Sequence, residues 1–328
     1  MDRILIISFS FEQEPDAFEV IRAAGYEPVL WAASERQKAG EEDLIAYFRA
    51  MRVKPAGIIM GADIRITDAF LKEAEGSVRA ISLNCAGFDH IDTDACAKRG
   101  ISLINVPRRN FDAVADLAWG LILGLMRNIV RGDRTIRAGK WAEGVERSMA
   151  VSGRTLGIYG MGAIGQAIAK RAMGFSMDIV ARSGSRKPEL AERYGLRYLD
   201  DEEFFSTSDI VVLCCPETPE THHLINEQVL RGMKRSAVLI NPSRGGLTDA
   251  DALYRALKEG WIAGAAMDAY ETEPLRDSPL FELDNILLTP HIGGLADKQI
   301  HDVAVQSAVN CVDILQGSID KSRLIGGR

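Results

Sequence analysis

Short apolar runs alternate with amphipathic stretches along almost the whole chain. Leu5–Ser8, Val29–Ala32, Gly57–Met60, Ala80–Leu83 and Leu103–Val106 are apolar runs of strand length. Between them, segments such as Glu41–Met51 and Thr67–Glu73 repeat apolar residues at helical spacing. Strand–helix alternation of this kind predicts a parallel α/β architecture. The pattern changes at Asn110–Ile129, which reads as one long helix, apolar on nearly every face. Asn110 suits its N-cap, and Asp112 and Asp116 suit its first turns. A helix with no wet face is buried between layers or domains, so this one marks the crossing from a first α/β series into a second. The second series has strands at Thr155–Tyr159, Asp178–Ala181, Ile210–Cys214, Val238–Ile240, Gly264–Met267 and Ile286–Leu288. A last amphipathic helix carries Ile300, Val303, Ala304, Ala308, Cys311, Val312 and Leu315 on one face and stops at Gly317. It is expected to return to the first series.

Size and composition agree with two domains, since 328 residues exceed one ordinary core. The chain is 47% hydrophobic and 26% charged, as in a globular protein. A formal charge of −7 speaks against nucleic acid or an anionic membrane as the main partner. The longest apolar run, Ala118–Met126, falls short of the ~20 residues that span a bilayer. The start, Met1–Ser8, reads as a first strand and not as a signal peptide. Five cysteines, Cys85, Cys96, Cys214, Cys215 and Cys311, show no paired spacing, which fits a reducing, cytoplasmic setting. No metal site is expected, because adjacent His222 and His223 lack metal-ligand spacing.

Gly160-Met-Gly-Ala-Ile-Gly165 lies between the strand ending at Tyr159 and a helix over Ala163–Ala172. In that context Gly160 permits a tight turn, Gly162 lets backbone approach a pyrophosphate, and Gly165 lets helix pack on strand. The N-terminal turn at Ala163 and Ile164 then faces the phosphates. The next strand ends at Arg182 and Ser183, with Ser183 in the position where an NAD-binding chain has its acidic residue. Ser183, Arg182, Arg186 and Lys187 can hold a 2′-phosphate that a carboxylate would repel. NADP is therefore favoured, with NAD possible. The reading is of two doubly wound, Rossmann-like parallel-sheet domains. Residues 1–107 and 292–328 form a discontinuous substrate-binding domain, and residues 108–291 form the dinucleotide-binding domain.

Three further motifs sit where strands run out: Asn241-Pro-Ser-Arg-Gly-Gly246, Asp268-Ala-Tyr-Glu-Thr-Glu-Pro274 and Pro290-His-Ile-Gly-Gly294. They bring Arg244, Glu273 and His291 to the end of one sheet. Arg244 can hold a carboxylate in a planar fork. His291 can move a proton near neutral pH. Glu273 can orient that ring and raise its pKa. Glu271, two residues away, is the alternative partner, and the spacing favours Glu273.

Together with Asn84-Cys-Ala-Gly-Phe-Asp-His-Ile-Asp92, Asn105-Val-Pro107 and Cys215-Pro-Glu-Thr-Pro-Glu-Thr221, these motifs resemble, in order and over nearly the whole chain, the D-isomer-specific 2-hydroxyacid dehydrogenases. The resemblance implies that His291 is the acid/base, that Glu273 holds its imidazole, and that Arg244 binds the carboxylate or polarises the reacting carbonyl. It further implies that the backbone N–H groups of Ala86 and Gly87 bind the substrate carboxylate, that Asp268 holds the nicotinamide carboxamide, and that Cys215 borders the cofactor. A homodimer through the nucleotide domain is implied by resemblance alone, and in some relatives a Trp near the position of Trp141 reaches a neighbouring subunit. Cys214 stands where the family often has His, and the relatives that act on formate carry Gln in the place of Glu273. No regulatory extension is expected. The favoured reading is an NADPH-preferring 2-oxoacid reductase resembling the glyoxylate/hydroxypyruvate reductases. The alternatives are a phosphoglycerate-type or other D-2-hydroxyacid dehydrogenase using NAD, and a nucleotide-sensing, co-repressor-like binding protein. Arg65, Arg108 and Arg109 are candidates for a substrate phosphate, or are surface residues.

Overall fold

In a computed structural model, which describes residues 1–32, 34, 39–62, 64–107, 111–141 and 147–326, the apolar runs pair as parallel strands in two units. One unit comprises Met1–Asn110 and Gly294–Arg328, the other Phe111–Gly293. In the first, β1 (Arg3–Ile7), β2 (Glu27–Leu30), β3 (Gly57–Met60), β4 (Ala80–Leu83) and β5 (Ser102–Ile104) form a sheet in the order β2-β1-β3-β4-β5. β1 and β2 start earlier than their apolar runs. Arg3 pairs with Glu27 in the register, and their side chains form an ion pair at 2.8 Å across the two strands. The helices between the strands are α1 (Pro15–Ala23), α2 (Glu41–Ala50), α3 (Asp68–Ala74) and α4 (Thr93–Lys98). Their starts are chemically marked. Pro15 opens α1, Thr67 accepts the Ala69 N–H at 3.2 Å, and Asp92 accepts the Ala95 N–H at 2.9 Å. Both faces of this sheet are covered, which is why its strands read as unbroken apolar runs. Leu5, Ile7, Ile58, Met60, Ile81 and Leu83 share one core, while Ile4, Ile6, Ile59 and Ala80 share another.

The second unit opens with α5 (Phe111–Met126), followed after a sharp bend of 61° by α6 (Ile129–Arg137). The long helix expected from the sequence to reach Ile129 thus stops at Met126, and a second helix follows it. Asn128 adopts a left-handed conformation, φ 54°, and breaks the run. The expected cap, Asn110, lies outside the described residues. α5 is a core helix of this unit, with Ala115, Ala118, Trp119, Leu121 and Ile122 buried against the sheet and against α7 (Ala163–Ala172). Asp112 and Asp116 both meet Arg171 of α7, at 3.1 and 2.7 Å. No single helix among the described residues is long and apolar enough to cross a membrane.

The sheet of this unit has seven strands where the sequence suggested six. β6 (Thr155–Tyr159), β7 (Asp178–Arg182), β8 (Arg197–Tyr198), β9 (Ile210–Leu213), β10 (Val238–Asn241), β11 (Gly264–Met267) and β12 (Ile286–Leu288) run parallel in the order β12-β11-β10-β9-β6-β7-β8. β8 is not legible in the sequence because it is two residues long and lies on the sheet edge. It exists only through its pairing with Val180 and Ala181. The connecting helices are α8 (Pro188–Tyr194), α9 (Asp201–Thr207), α10 (Glu227–Gly232) and α11 (Ala250–Lys258). The order turns at β6 and β9. From there the chain winds outward in both directions, as in a doubly wound fold.

The chain then re-enters the first unit as α12 (Asp297–Gln316), which ends on Gly317 at φ 75°. Val303, Ala304, Ser307, Ala308, Cys311 and Val312 are buried. Contact with the sheet is so close that a Cβ on Gly57 would lie 2.7 Å from Cys311 Sγ and 3.2 Å from a Leu315 methyl. Gly57→Ala is expected to lower stability by about 1–3 kcal/mol through this overpacking. Urea unfolding followed by circular dichroism measures it, and an unchanged midpoint contradicts the close docking of α12.

Candidate active site

Parallel strands deliver their C-terminal loops to one edge, so the ends of β6, β9, β10, β11 and β12 gather five loops there. The loop after β12 carries His291, that after β11 carries Glu273, and that after β10 carries Arg244. These strands are neighbours, so three residues distant in sequence become adjacent. His291 Nδ1 lies 2.8 and 3.0 Å from the two Glu273 carboxylate oxygens. One of those oxygens also accepts the Tyr270 N–H at 2.9 Å. With Nδ1 engaged, Nε2 is the ring nitrogen left for chemistry. Glu271 hydrogen-bonds His223.

The two groups tune each other. The hydrogen bond to Glu273 raises the His291 pKa above the ordinary imidazole value, against partial burial and the nearby Arg244 charge, which lower it. Burial works to raise the Glu273 carboxyl. The hydrogen bonds from His291 and from the Tyr270 N–H outweigh it, with help from Arg244, and hold Glu273 below the usual carboxylate range. The charge of Arg244 thus reaches both members of the pair.

The backbone at His291 is held in the left-handed region, φ 52°, uncommon for a residue with a side chain. Asp268 accounts for it. Its carboxylate, 1% exposed, accepts the Thr289 hydroxyl at 2.6 Å and the Ile292 and Gly293 N–H groups at 2.9 and 2.8 Å. The Tyr270 hydroxyl adds bonds to the Met267 and Thr289 carbonyls, at 3.0 and 2.9 Å. Asp268 is thereby occupied on both oxygens by the turn that presents His291, a structural task that the resemblance did not suggest.

Arg244 is positioned by a second buried polar residue. Asn241, fully buried, donates to the Arg244 carbonyl at 2.8 Å and to Thr248 Oγ1 at 3.3 Å, and accepts the Ser243 N–H at 3.1 Å. Ser243 donates to the Cys215 carbonyl at 2.9 Å, tying the loop to the end of β9. Of the two glycines after Arg244, the first is required by contact with backbone, and the second meets the end of a side chain. A Cβ on Gly245 would lie 1.9 Å from the Tyr270 carbonyl carbon, and one on Gly246 would lie 2.0 Å from Glu217. Asn241, Ser243, Tyr270 and Thr289 are not among the residues singled out from the sequence. The only available signal is that they lie in or beside the strand-end motifs.

The glycine loop fits a dinucleotide, with each glycine answering a different need. A Cβ on Gly160 (φ 107°) would lie 2.6 Å from the Cys214 carbonyl oxygen, and one on Gly165 would lie 2.1 Å from the Gly160 oxygen. Gly162, by contrast, would meet nothing within 4 Å. Its missing side chain relieves no crowding inside the protein, so the open room suits a ligand. Gly162 also caps α7 without a side-chain hydrogen bond, leaving the first turn at Ala163 and Ile164 to an anion. Cys215 is buried beside this loop, and burial pushes its thiol up to about 11.

At the end of β7, Ser183 is half-buried and Arg186 and Lys187 are exposed. The Arg182 guanidinium binds both Asp201 oxygens, at 2.9 and 3.3 Å, and the Ser183 carbonyl at 3.1 Å. Any 2′-phosphate bound there would share the Arg182 fork with Asp201. Ala86 and Gly87 lie in the first unit, in the loop after β4, where Asn105 donates to the Ala86 carbonyl at 2.6 Å and Cys85 Sγ donates to that of Gly87 at 3.2 Å. Arg65 is exposed in the same unit, and Arg108 and Arg109 lie outside the described residues.

Comparison with known proteins matches residues 119–293 to the model for the D-isomer specific 2-hydroxyacid dehydrogenase, NAD binding domain. A glyoxylate reductase of Thermococcus litoralis is 42% identical over 259 residues, 77% of this chain and 78% of that protein. One from Pyrococcus horikoshii is 44% identical over 252 residues, 74% of this chain and 75% of that protein. The crystal structure of a glyoxylate reductase from Paecilomyes thermophila superposes with a TM-score of 0.83 at 28% identity, covering 99% of this chain and 97% of that one. By domain match, identity and fold, the chain belongs to the D-isomer specific 2-hydroxyacid dehydrogenases, and it is an NAD(P)-dependent oxidoreductase of small 2-hydroxy and 2-oxo acids.

Proposed function

We propose that the chain is a reductase of short 2-oxo acids of the glyoxylate or hydroxypyruvate kind, with NADPH preferred over NADH. The observation that carries this reading is the His291–Glu273 pair at 2.8 Å, within electrostatic reach of Arg244 at one sheet edge. The bound nicotinamide supplies the hydride. His291 Nε2 gives a proton to the carbonyl oxygen as it becomes an alkoxide, and takes it back in the reverse direction. Glu273 keeps the imidazole protonated and oriented. Arg244 neutralises the carboxylate or the developing alkoxide in a planar fork. The backbone N–H groups of Ala86 and Gly87 are assigned to the substrate carboxylate, and Asp268 to the nicotinamide side through the turn that it anchors. The relatives named glyoxylate reductase support a small 2-oxo acid.

NADPH preference is supported by Ser183 in place of an acidic residue, with Arg186 and Lys187 exposed beside it. Arg182, which also pairs with Asp201, joins Arg186 and Lys187 in taking the phosphate in this reading. We further assign a homodimer, supported by α6. No residue of this helix is buried, and Ile129, Ile136 and the following Trp141 are 57%, 52% and 84% exposed. Five free cysteines fit a reducing cytoplasm.

His291→Ala and Arg244→Ala are each expected to lower kcat/KM for glyoxylate by about 100-fold or more, as loss of a proton donor or a charge clamp does, with NADPH binding retained. Stopped-flow absorbance at 340 nm and nucleotide fluorescence separate the two effects, and wild-type turnover in His291→Ala rejects the reading. Reduction needs protonated His291, so its rate is expected to hold at low pH and fall as pH rises through the raised His291 pKa. Oxidation should show the opposite limb. Glu273→Gln removes the main cause of the raised value and should move both limbs to lower pH. For the cofactor, Arg186→Ala/Lys187→Ala is expected to weaken NADPH about tenfold or more while leaving NADH unchanged. An unaltered NADPH/NADH ratio contradicts the assignment. Ile129→Asp/Ile136→Asp should convert a dimer to a monomer in analytical ultracentrifugation, and a wild-type monomer contradicts the dimer.

A further inference from the structure

Beside the proposed active site, and using none of its three principal residues, lies a second group of ligating side chains. His222 and His223 follow β9, and Glu271 follows β11. Adjacent residues on extended backbone point to opposite sides, which is why the pair looks unsuited to a metal in the sequence. His223 instead adopts φ 51°, and the two imidazoles stack with centroids 4.1 Å apart and planes 19° from parallel. Glu271 reaches across to hydrogen-bond His223 Nε2, while Glu217 lies 3.1 Å from His222 Nδ1. One ligand atom from each of His222, His223 and Glu271 falls within 4.8 Å of the others.

We propose that His222, His223 and Glu271 form a site for a divalent transition-metal cation of the Zn2+, Ni2+ or Cu2+ class, with Glu217 orienting the His222 ring. Two imidazoles and a carboxylate favour these borderline ions over Mg2+ or Ca2+, which take all-oxygen sets. Metal–ligand bonds of about 2.0–2.2 Å need ligand atoms about 3.4 Å apart. The observed cluster is somewhat wider, and the gap is closed by rotating side chains that are 40–51% exposed. The backbone beneath is already fixed. The Thr221 hydroxyl bonds the Pro216 carbonyl at 2.8 Å, the His222 N–H donates to the Thr218 carbonyl at 2.8 Å, and the His223 N–H donates to the Gly246 carbonyl at 2.7 Å. Glu271 is held on the other side by the packing of its backbone against Gly245. A cation here replaces the His223–Glu271 hydrogen bond and displaces its proton. It bridges the segment after β9 to the loop of Glu273, and both of these pack on the glycines that follow Arg244.

The site is tested on the full chain, stripped with EDTA and dialysed, by calorimetric titration with Zn2+. One equivalent per chain is expected. His222→Ala, His223→Ala and Glu271→Gln should each weaken binding about tenfold or more, whereas His291→Ala and His301→Ala should leave it intact. Wild-type affinity in the three cluster variants, or loss of binding in His301→Ala instead, overturns the proposal. Each variant is first melted in EDTA to verify folding. Independently of any substitution, Co2+ added to the wild-type chain should develop the intense visible absorption of a low-coordinate nitrogen and oxygen site. A spectrum indistinguishable from Co2+ in water also overturns it.

Discussion

The arrangement of the site rests on one buried carboxylate. Asp268 is almost wholly removed from water and is satisfied by one hydroxyl and two backbone N–H groups of the Thr289–Gly293 turn. A carboxylate so placed is costly unless its lone pairs are filled, so the turn and Asp268 constrain each other. That mutual requirement sustains the left-handed backbone at His291, a conformation that costs on the order of 1–3 kcal/mol for a residue with a side chain. It also sets the direction from which the imidazole meets Glu273. Asn241 acts in the same way at the end of β10, where a fully buried amide holds the backbone on both sides of Arg244.

Glycine decides how near these loops come to one another. Gly245 lies so close to Tyr270 that any side chain would collide with backbone, and Gly160 lies comparably close to Cys214. The Arg244 loop, the Glu273 loop and the segment after β9 therefore pack as a layer with little freedom between them. The electrostatics follow from that packing. Arg244 lies near enough to depress Glu273 and to oppose protonation of His291, while the direct hydrogen bond from Glu273 prevails and raises His291. The same layer brings Glu217 and Glu271 against His222 and His223, a grouping for which the chain shows no contiguous motif.

Much is legible in the sequence because it depends on local rules. Alternating apolar runs and amphipathic helices forecast two parallel sheets, and the glycine loop forecasts both its strand and the helix Ala163–Ala172. Where sequence and structure differ, the deciding contacts are distant or the signal is too short. α5 ends at Met126, three residues short of the expected Ile129, because Asn128 turns left-handed as asparagine just past a helix can. β8 is two residues on a sheet edge, recruited by β7 alone. The contact of the Arg182 guanidinium with Asp201, nineteen residues on, at 2.9 Å, is likewise one that no local pattern announces.

The sequence by itself determined the fold class and the alternation of elements, and it offered Arg244, His291 and either Glu271 or Glu273 as candidates, because periodicity and strand-end motifs are properties of neighbouring residues. Only the tertiary structure decided which carboxylate meets His291, what Asp268 and Asn241 hold in place, where Arg182 points, and that His222, His223 and Glu271 converge. Each of these depends on loops from adjacent strands, joined by close glycine contacts and buried hydrogen bonds between residues that are far apart in the chain.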